Sequence, residues 1–501
     1  MSDAAFRPPS LPLAALGLCL ATFMQVLDTT IANVALPTIA GDLGVSADQG
    51  NWVITSFAVC NAIALPLTGW VARTIGETKL FIGAVILFAV TSFLCGIAQS
   101  MPELIAFRAL QGLCSGPLFP MAQTLMMAIF PREKRTVALA IIGMVTVVAP
   151  IIGPITGGWI TDNYSWRWIF YINVPIAVIA TFMVLIQLKD RPDQTQKTPV
   201  DYIGLSLLVM GVGALQIMLD KGNNLDWFDS NFIVTLTGIA VFSLAAFVIW
   251  ELTSAHPIVN LRLFKDRNFA VGTVALVLGF SAFFAINLIL PQWLERNLGY
   301  TAVWAGLASA PMGVIPLLFS SVVGKYAPHI DLRILVTASF LVISSSCFIR
   351  AGFNTEIDFM SIALVQGYMG LGVVLFFMPL TTILLSNLDN HQIADGSGLA
   401  TFLRVLGGSF ASSLSIWLWD RRESFHYAQL NEHVSPHNPA AQHFFEPIGG
   451  FVANNLAQVK QMMQSQALMM STIDYFTLLG WLFLGLLAII WWTKPPFFKG
   501  H

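Results

Sequence analysis

Charge is what this chain has least of. Of its 501 residues only 10% are Asp, Glu, Lys or Arg, against about 25% in an ordinary soluble domain. So few charges cannot solvate a surface of this size, which excludes a soluble globular fold. The net charge is −2, so no basic surface points to nucleic acid. Cysteine is sparse as well. Cys19, Cys60, Cys95, Cys114 and Cys347 sit in apolar runs, odd in number and without the spacing of a metal site. They read as small buried residues. No G-x-x-x-x-G-K-[ST] phosphate loop occurs, and no polar segment is long enough to house a nucleotide domain, which argues against an ATP-driven pump. No nucleophile–base pair stands out, so neither an enzyme nor a cofactor is expected.

What fills the chain is apolar sequence, 56% of it, in long continuous runs. A helix of about 20 residues crosses a ~30 Å hydrocarbon core, and in lipid the backbone must satisfy its own hydrogen bonds. A transmembrane β-barrel would show short alternating strands instead. Spans are predicted near 12–35, 50–71, 80–99, 104–128, 136–159, 167–187, 201–220 and 231–251, then near 269–293, 302–324, 333–351, 359–387, 396–418 and 472–493. The 359–387 run is long enough to include a helical extension into the cytoplasm. The first run has only Arg7 ahead of it and contains Asp28, so it reads as a retained span and not a signal peptide. The expected fold class is an all-α polytopic membrane protein with 14 transmembrane helices.

An even span count puts both termini on one side, and Lys and Arg decide which. With a cytoplasmic N-terminus, cytoplasmic segments hold 16 of the 25 basic residues, including Arg73, Lys79, Lys134 and Arg135, while external segments hold seven. The bias places both termini in the cytoplasm. Residues 1–190 are expected to form a six-span bundle, 191–265 to contribute two linker spans, and 266–501 to form a second six-span bundle. A weak repeat supports the pairing: Gln111-Gly112 before Pro120 is echoed by Gln366-Gly367 before Pro379. The one long external segment, about 419–471, starts polar and turns amphipathic through Phe451, Leu456, Val459 and Met463. That spacing fits a helix lying on the membrane or on a partner. The segment also holds His426, His433, His437 and His443, too irregularly spaced for a metal site.

Asp28 is the most informative residue. A carboxylate at mid-bilayer costs at least ~2.5–3.5 kcal/mol, so it must face water, pair with a cation or carry a proton. A group that moves between such settings can load and release a proton. Arg108, near the start of the fourth span, is a poor proton carrier but suits either biasing a nearby carboxylate or holding a helix by bonding its carbonyls. Arg404 in the thirteenth span reads as structural. The fifth span carries Pro150 and Pro154, each lacking a backbone donor, and the small residues Gly153, Gly157 and Gly158, which allow close helix contact. After the second span, Arg73, Glu77 and Lys79 flank Gly76 in a charged loop.

Four segments then converge. They are Leu27–Pro37, Arg108–Gly116, Gly153-Pro154-x-x-Gly157-Gly158 and Trp166–Pro175. With them the sequence resembles the fourteen-span drug:proton antiporter group of the major facilitator superfamily, and within it the EmrB-type inner-membrane pumps. The superfamily's loop motif has an acidic residue where Arg73 stands, which puts a carboxylate latch at that place in doubt. The resemblance implies two six-helix bundles with two additional central spans, proton coupling through Asp28 and Arg108, and an antiporter motif at Pro150, Gly153, Pro154, Gly157 and Gly158. It implies a mid-bilayer cavity lined by spans 1, 4, 9 and 12. Substrate-binding candidates are Phe23, Met24, Gln25 and Asn33 near Asp28, with Asn287 and Phe376 from the other bundle. It further implies export of hydrophobic or amphipathic toxic compounds from the bacterial inner membrane, jointly with a periplasmic adaptor and an outer-membrane channel. A carrier for a specific metabolite or for fatty acids is the alternative.

Overall fold

Continuous apolar sequence leaves the backbone no partner but itself, and the chain answers with helices. The computed structural model describes residues 8–131, 134–193, 195, 201–255, 257–389, 392–434, 442 and 453–497. Among the described residues all regular structure is helical. Thirteen helices among those residues are long and apolar enough to cross a membrane, and a further crossing is made of two halves. In chain order they are α1 (Leu11–Asp42), α2 (Trp52–Ile75), α3 (Glu77–Ile97), the two-part α4 (Met101–Ser115 and Leu118–Ile129) and α5 (Arg135–Asn163). There follow α6 (Trp168–Leu188), α7 (Tyr202–Lys221), α8 (Asn231–Thr253), α9 (Arg267–Leu298), α10 (Ala302–Ser309 and Pro311–Tyr326), α11 (Leu332–Ala351) and α12 (Phe359–Leu385). The last two are α13 (Ile393–His433) and α14 (Ala453–Ile490).

The break in α4 has a local cause. Pro117 brings no backbone donor, and Gly116 lies so close to α2 that a Cβ would meet Ala64. The long 359–387 run is likewise one crossing, interrupted at Leu375-Phe376 and ending at Leu385.

In the first bundle α1 packs on α5 and α6, and α4 on α2 and α3. In the second, α13 packs on α9 and α14, α11 on α14, and α10 on α12. The halves meet along α5–α10 and α2–α13. Helix α7 lies against both α2 and α13. Thr55 donates to Asp220, Gln216 Nε2 donates to Ser409 Oγ at 2.9 Å, and Asn223 Nδ2 donates to the Ser413 carbonyl at 3.0 Å. Helix α8 packs mainly on α7, and its Val241, Phe242 and Ile249 point outward, as a lipid-facing helix should.

The two bundles touch unequally along their length. Among the described residues the direct hydrogen bonds between them are three, all toward the end where α1 begins. Arg73 pairs with Asp395, Ser397 donates to Gln123, and Thr136 Oγ1 donates to the Gly324 carbonyl at 2.8 Å. Toward the other end the bundles meet through α5 and the first half of α10, where a Cβ at Gly306 would lie 3.2 Å from Ile155 Cγ1. The molecule is thus fastened at the α1-start end and strapped by α7 at the opposite one.

The 419–471 segment corrects an expectation. Among its described residues there is no separate helix lying on a surface. Helix α13 has 41 residues, about 60 Å at 1.5 Å per residue, twice a ~30 Å hydrocarbon core. It continues outward beside the start of α14 as a helical hairpin. Val459 and Met463, the apolar face read as membrane- or partner-facing, pack on Tyr427, Leu430 and Val434 of the same hairpin. At its base Trp419 Nε1 donates to Thr472 Oγ1 at 2.9 Å, and Asp474 accepts from Arg422 and His426. Phe451, His437 and His443 lie outside the described residues.

Candidate functional site

A carboxylate can be buried only if enough donors come with it. Asp28 on α1 and Arg108 on the first half of α4 are both wholly buried. Arg108 Nη1 donates to Asp28 Oδ2 at 2.6 Å. Gln111, one turn along from Arg108, donates through Nε2 to Oδ1 at 3.1 Å. Asn173, at the start of the long part of α6, donates through Nδ2 to the same oxygen at 2.7 Å and to Ser92 Oγ at 3.0 Å. Three donors from two helices therefore surround one negative charge.

The guanidinium is held just as firmly. Its Nε donates to the Val53 carbonyl of α2 at 3.2 Å, and Nη1 also reaches Gln111 Oε1 at 2.8 Å. The Phe57 ring centroid lies 4.2 Å from its Cζ, a cation–π contact. Helices α1, α2, α4 and α6 all contribute groups to this pair or its partners, so its charge state bears on their mutual packing. One turn toward the α1 start, Gln25 Nε2 and Asn61 Nδ2 donate to Ser115 Oγ at 3.2 Å and 2.6 Å. They continue the polar seam between α1, α2 and α4.

The proline–glycine stretch of α5 packs on α1 beside this pair. A Cβ at Gly153 would strike Thr30, and one at Gly157 would lie 2.8 Å from Ile31 Cγ1 and 3.0 Å from its carbonyl oxygen. Gly158 differs, since a Cβ there would meet only Val34 at 3.8 Å. The helix runs on through Pro150 and Pro154 without interruption. The small-residue face therefore seats α5 two or three residues beyond Asp28.

The six residues expected around a ligand do not gather in one place. Met24 is buried in the first bundle's core, and Gln25 belongs to the polar seam. Phe23 is half-buried and Asn33 is exposed. Asn287 is half-buried and donates to the Phe283 carbonyl of its own helix at 2.7 Å. Phe376 is wholly buried, its ring 4.8 Å from that of Phe377. One small space between the bundles is lined by Phe119, Gln123, Thr146, Phe377, Thr401 and Arg404 among others, none of those six. It amounts to about 20 Å³ here, room for one water-sized guest.

Sequence reasoning passed over two groups. Asn173 lay within a quoted motif but received no role, although an Asn deep in an apolar run is the kind of signal that marked Asp28. Asp395 carries no local signal, and nothing in the linear order relates it to Arg73.

A family model described as Major Facilitator Superfamily matches residues 18–412. The chain is 47% identical over 494 residues to the Multidrug export protein EmrB of Escherichia coli strain K12, covering 98% of this chain and 96% of that protein. It is 46% identical over 489 residues to the Fatty acid resistance protein FarB of Neisseria gonorrhoeae, covering 97% and 96%. Among solved structures, the proton:xylose symporter XylE superposes with a TM-score of 0.61 at 14% identity, over 96% of this chain and 95% of that one. At that identity the likeness concerns the fold alone.

Proposed function

Because the chain belongs to the major facilitator superfamily, and within it to the EmrB-type multidrug efflux transporters, we propose that it is a proton-driven antiporter. It exports hydrophobic or amphipathic compounds by alternating access. The observation that carries this reading is the buried Asp28–Arg108 pair, set in a helix against which α5 rests on glycines. With Asp28 deprotonated, Arg108, Gln111 and Asn173 hold α1, α4 and α6 in the arrangement seen here. A proton on Asp28 removes the charge those donors serve and frees Arg108, so a second arrangement of the same helices becomes competitive. Cargo binding favours one arrangement and protonation the other.

The energetics suffice. One proton crossing a ~150 mV potential releases about 3.5 kcal/mol. That sustains a gradient of a few hundredfold for an uncharged compound, at about 1.4 kcal/mol per tenfold. Phe23, Asn33 and Asn287 belong in our reading to the cargo path of the opened state, while Met24 and Phe376 serve packing. The 16-to-7 distribution of Lys and Arg supports cytoplasmic termini in an inner membrane. The fastened end is then the cytoplasmic one, and the arrangement described here is closed to the cytoplasm. The α13–α14 hairpin then projects into the periplasm, where it is the part placed to dock an adaptor leading to an outer-membrane channel. Fatty acids fall within the same cargo class, given what one 46% identical relative is named for.

Purified protein in liposomes with an imposed pH gradient tests the coupling. Wild type should accumulate a fluorescent amphipath against its gradient only when the pH gradient is present. Asp28→Asn should retain binding but lose the pH-driven component. Full pH-driven accumulation by Asp28→Asn would sink the assignment of Asp28.

A further inference from the structure

Helix α7 ends in adjacent opposite charges, Asp220 and Lys221, and both reach the first turns of α2. Thr55 is buried, and its hydroxyl donates to the Asp220 carboxylate. Lys221 is buried as well, with its ammonium 5.1 Å from the ring centroid of Trp52. The Asp220 side chain is 32% exposed and lies 3.8 Å from Lys221 Nζ. Among the described residues Lys221 is the only charged group acting on it.

The spacing along α2 gives these contacts a second reach. Trp52 and Thr55 are three apart and share the face toward α7. Val53 and Phe57 are four apart and share the side toward Arg108. The Val53 carbonyl accepts from Arg108 Nε at 3.2 Å, and the Phe57 ring centroid lies 4.2 Å from Arg108 Cζ. The same two turns of α2 therefore carry α7 on one side and the guanidinium of the buried pair on the other.

On its other side α7 is seated on the second bundle. The Leu219 carbonyl accepts from Ser413 Oγ, and Asn223 Nδ2 donates to the Ser413 carbonyl at 3.0 Å. These two contacts flank Asp220, and Gln216 bonds Ser409 one turn earlier at 2.9 Å. Three bonds hold α7 to α13, whereas Thr55–Asp220 is the side-chain hydrogen bond that joins it to α2. The end of α7 therefore travels with the second bundle, and Asp220 is where it meets the first. Thr55 Oγ1 has a second acceptor within reach, the Asn51 carbonyl at 3.1 Å. Its hydroxyl can turn there and release Asp220 without stranding a buried donor.

We propose that Asp220 is a positioning residue for proton coupling: through Thr55 it holds the first turns of α2, and with them the Val53 carbonyl and the Phe57 ring, in place around Arg108. The proposal rests on the reading of Asp28 and Arg108 as the coupling pair, and it gives that pair a link to the second bundle through contiguous contacts. With the Asp220–Thr55 contact made, Arg108 divides its hold between Asp28 and the groups of α2. With it broken, α2 relaxes away and Arg108 leans more heavily on the Asp28 carboxylate. A proton then competes less well for that carboxylate. Asp220 carries no proton across the membrane; it sets how readily Asp28 accepts one.

The test uses proteoliposomes held at a constant pH difference while both compartments are stepped together through a pH series. The probe is N-phenylnaphthylamine, a neutral fluorescent amphipath, and the readout is the pH of half-maximal accumulation. Thr55→Val and Asp220→Ala should each move that midpoint to lower pH by about 0.5–1 unit, the shift that corresponds to one net hydrogen bond. The double variant should move it no further, because both substitutions remove the same contact. Asp220→Asn keeps an acceptor oxygen for Thr55 and should shift it by less. Melting temperatures check that each variant is folded. A purely structural role would lower them and the maximal rate but leave the midpoint in place. An unmoved midpoint in Thr55→Val, a shift to higher pH, or additive shifts in the double variant would overturn the proposal. So would loss of all pH-driven accumulation in Asp220→Asn, since Asp220 would then be a proton carrier itself. If wild type is pH-driven and the variants keep its midpoint, the coupling reading stands and this one falls. Wild-type accumulation indifferent to pH would overturn both.

Discussion

Replacing Asp28 by Asn leaves Arg108 buried without a counter-charge. Its remaining partners are the Val53 carbonyl, Gln111 Oε1 and the Phe57 ring, all neutral. Breaking a buried pair by removing one member costs about 3–5 kcal/mol, and the near-complete burial of both groups places this case in that class. Replacing Arg108 by Gln leaves the carboxylate with two neutral donors, Gln111 and Asn173, so its cost should lie near the lower bound. The double variant Asp28→Asn/Arg108→Gln removes both charges and leaves amides able to bond one another. Substituting a whole buried pair by neutral groups is often close to neutral. Thermal unfolding midpoints of the four proteins in one detergent should therefore rank wild type and the double variant above Arg108→Gln, with Asp28→Asn lowest. Proton-driven efflux should be lost in all three variants, including the stable double one. A double variant no more stable than Asp28→Asn, or an Asp28→Asn protein that melts with wild type, would refute the argument that the pair is an interdependent charged unit.

Other outcomes follow from the same contacts. Arg73→Asp should loosen the fastened end and raise cytoplasmic labelling of a cysteine placed at Ser397 by about 5- to 30-fold, the effect of 1–2 kcal/mol; the swap Arg73→Asp/Asp395→Arg should restore protection. Gly69→Ala should act in the same direction, because its Cβ would lie 2.9 Å from the Asp395 Cα. Gly157→Ala should slow efflux and lower the melting temperature, since overpacking typically costs about 1–3 kcal/mol. Gly158→Ala, with only Val34 at 3.8 Å, should behave as wild type in both measurements. Shortening the hairpin within 425–465 should abolish co-purification of a periplasmic adaptor while leaving pH-driven transport in liposomes intact; retained co-purification would move the docking site elsewhere.

Some of this was legible in the linear order. A membrane span is a local property, so hydropathy over some twenty residues was enough to locate each crossing, including the two linker helices. Asp28 stood out for the same reason, since a carboxylate in an apolar run is anomalous without knowledge of its neighbours. The partners of Asp28 were less legible. Arg108 was noticed as a charge, but its approach to Asp28 joins residues 80 positions apart. Asn173 joins from 145 positions away. Sequence likewise read Arg73 as a departure from an acidic motif, and folding supplied the acid from α13, 322 positions on. The amphipathic run near residue 459 reads as a face for the membrane or a partner, because periodicity does not say what covers it. Tyr427 and Leu430 of the neighbouring helix do so.

The sequence alone determined that this chain lives in a bilayer, how many times it crosses and which residue carries an anomalous charge, because each follows from the cost of placing a given side chain in hydrocarbon. Only tertiary structure decided which charges are paired. Asp28 and Arg108 look alike with Arg404 in a hydropathy profile, but helix packing gives the first two each other and gives Arg404 two aromatic faces. Electrostatic energy in a low-dielectric interior depends on a few ångströms of separation, and those distances are set by which helices meet.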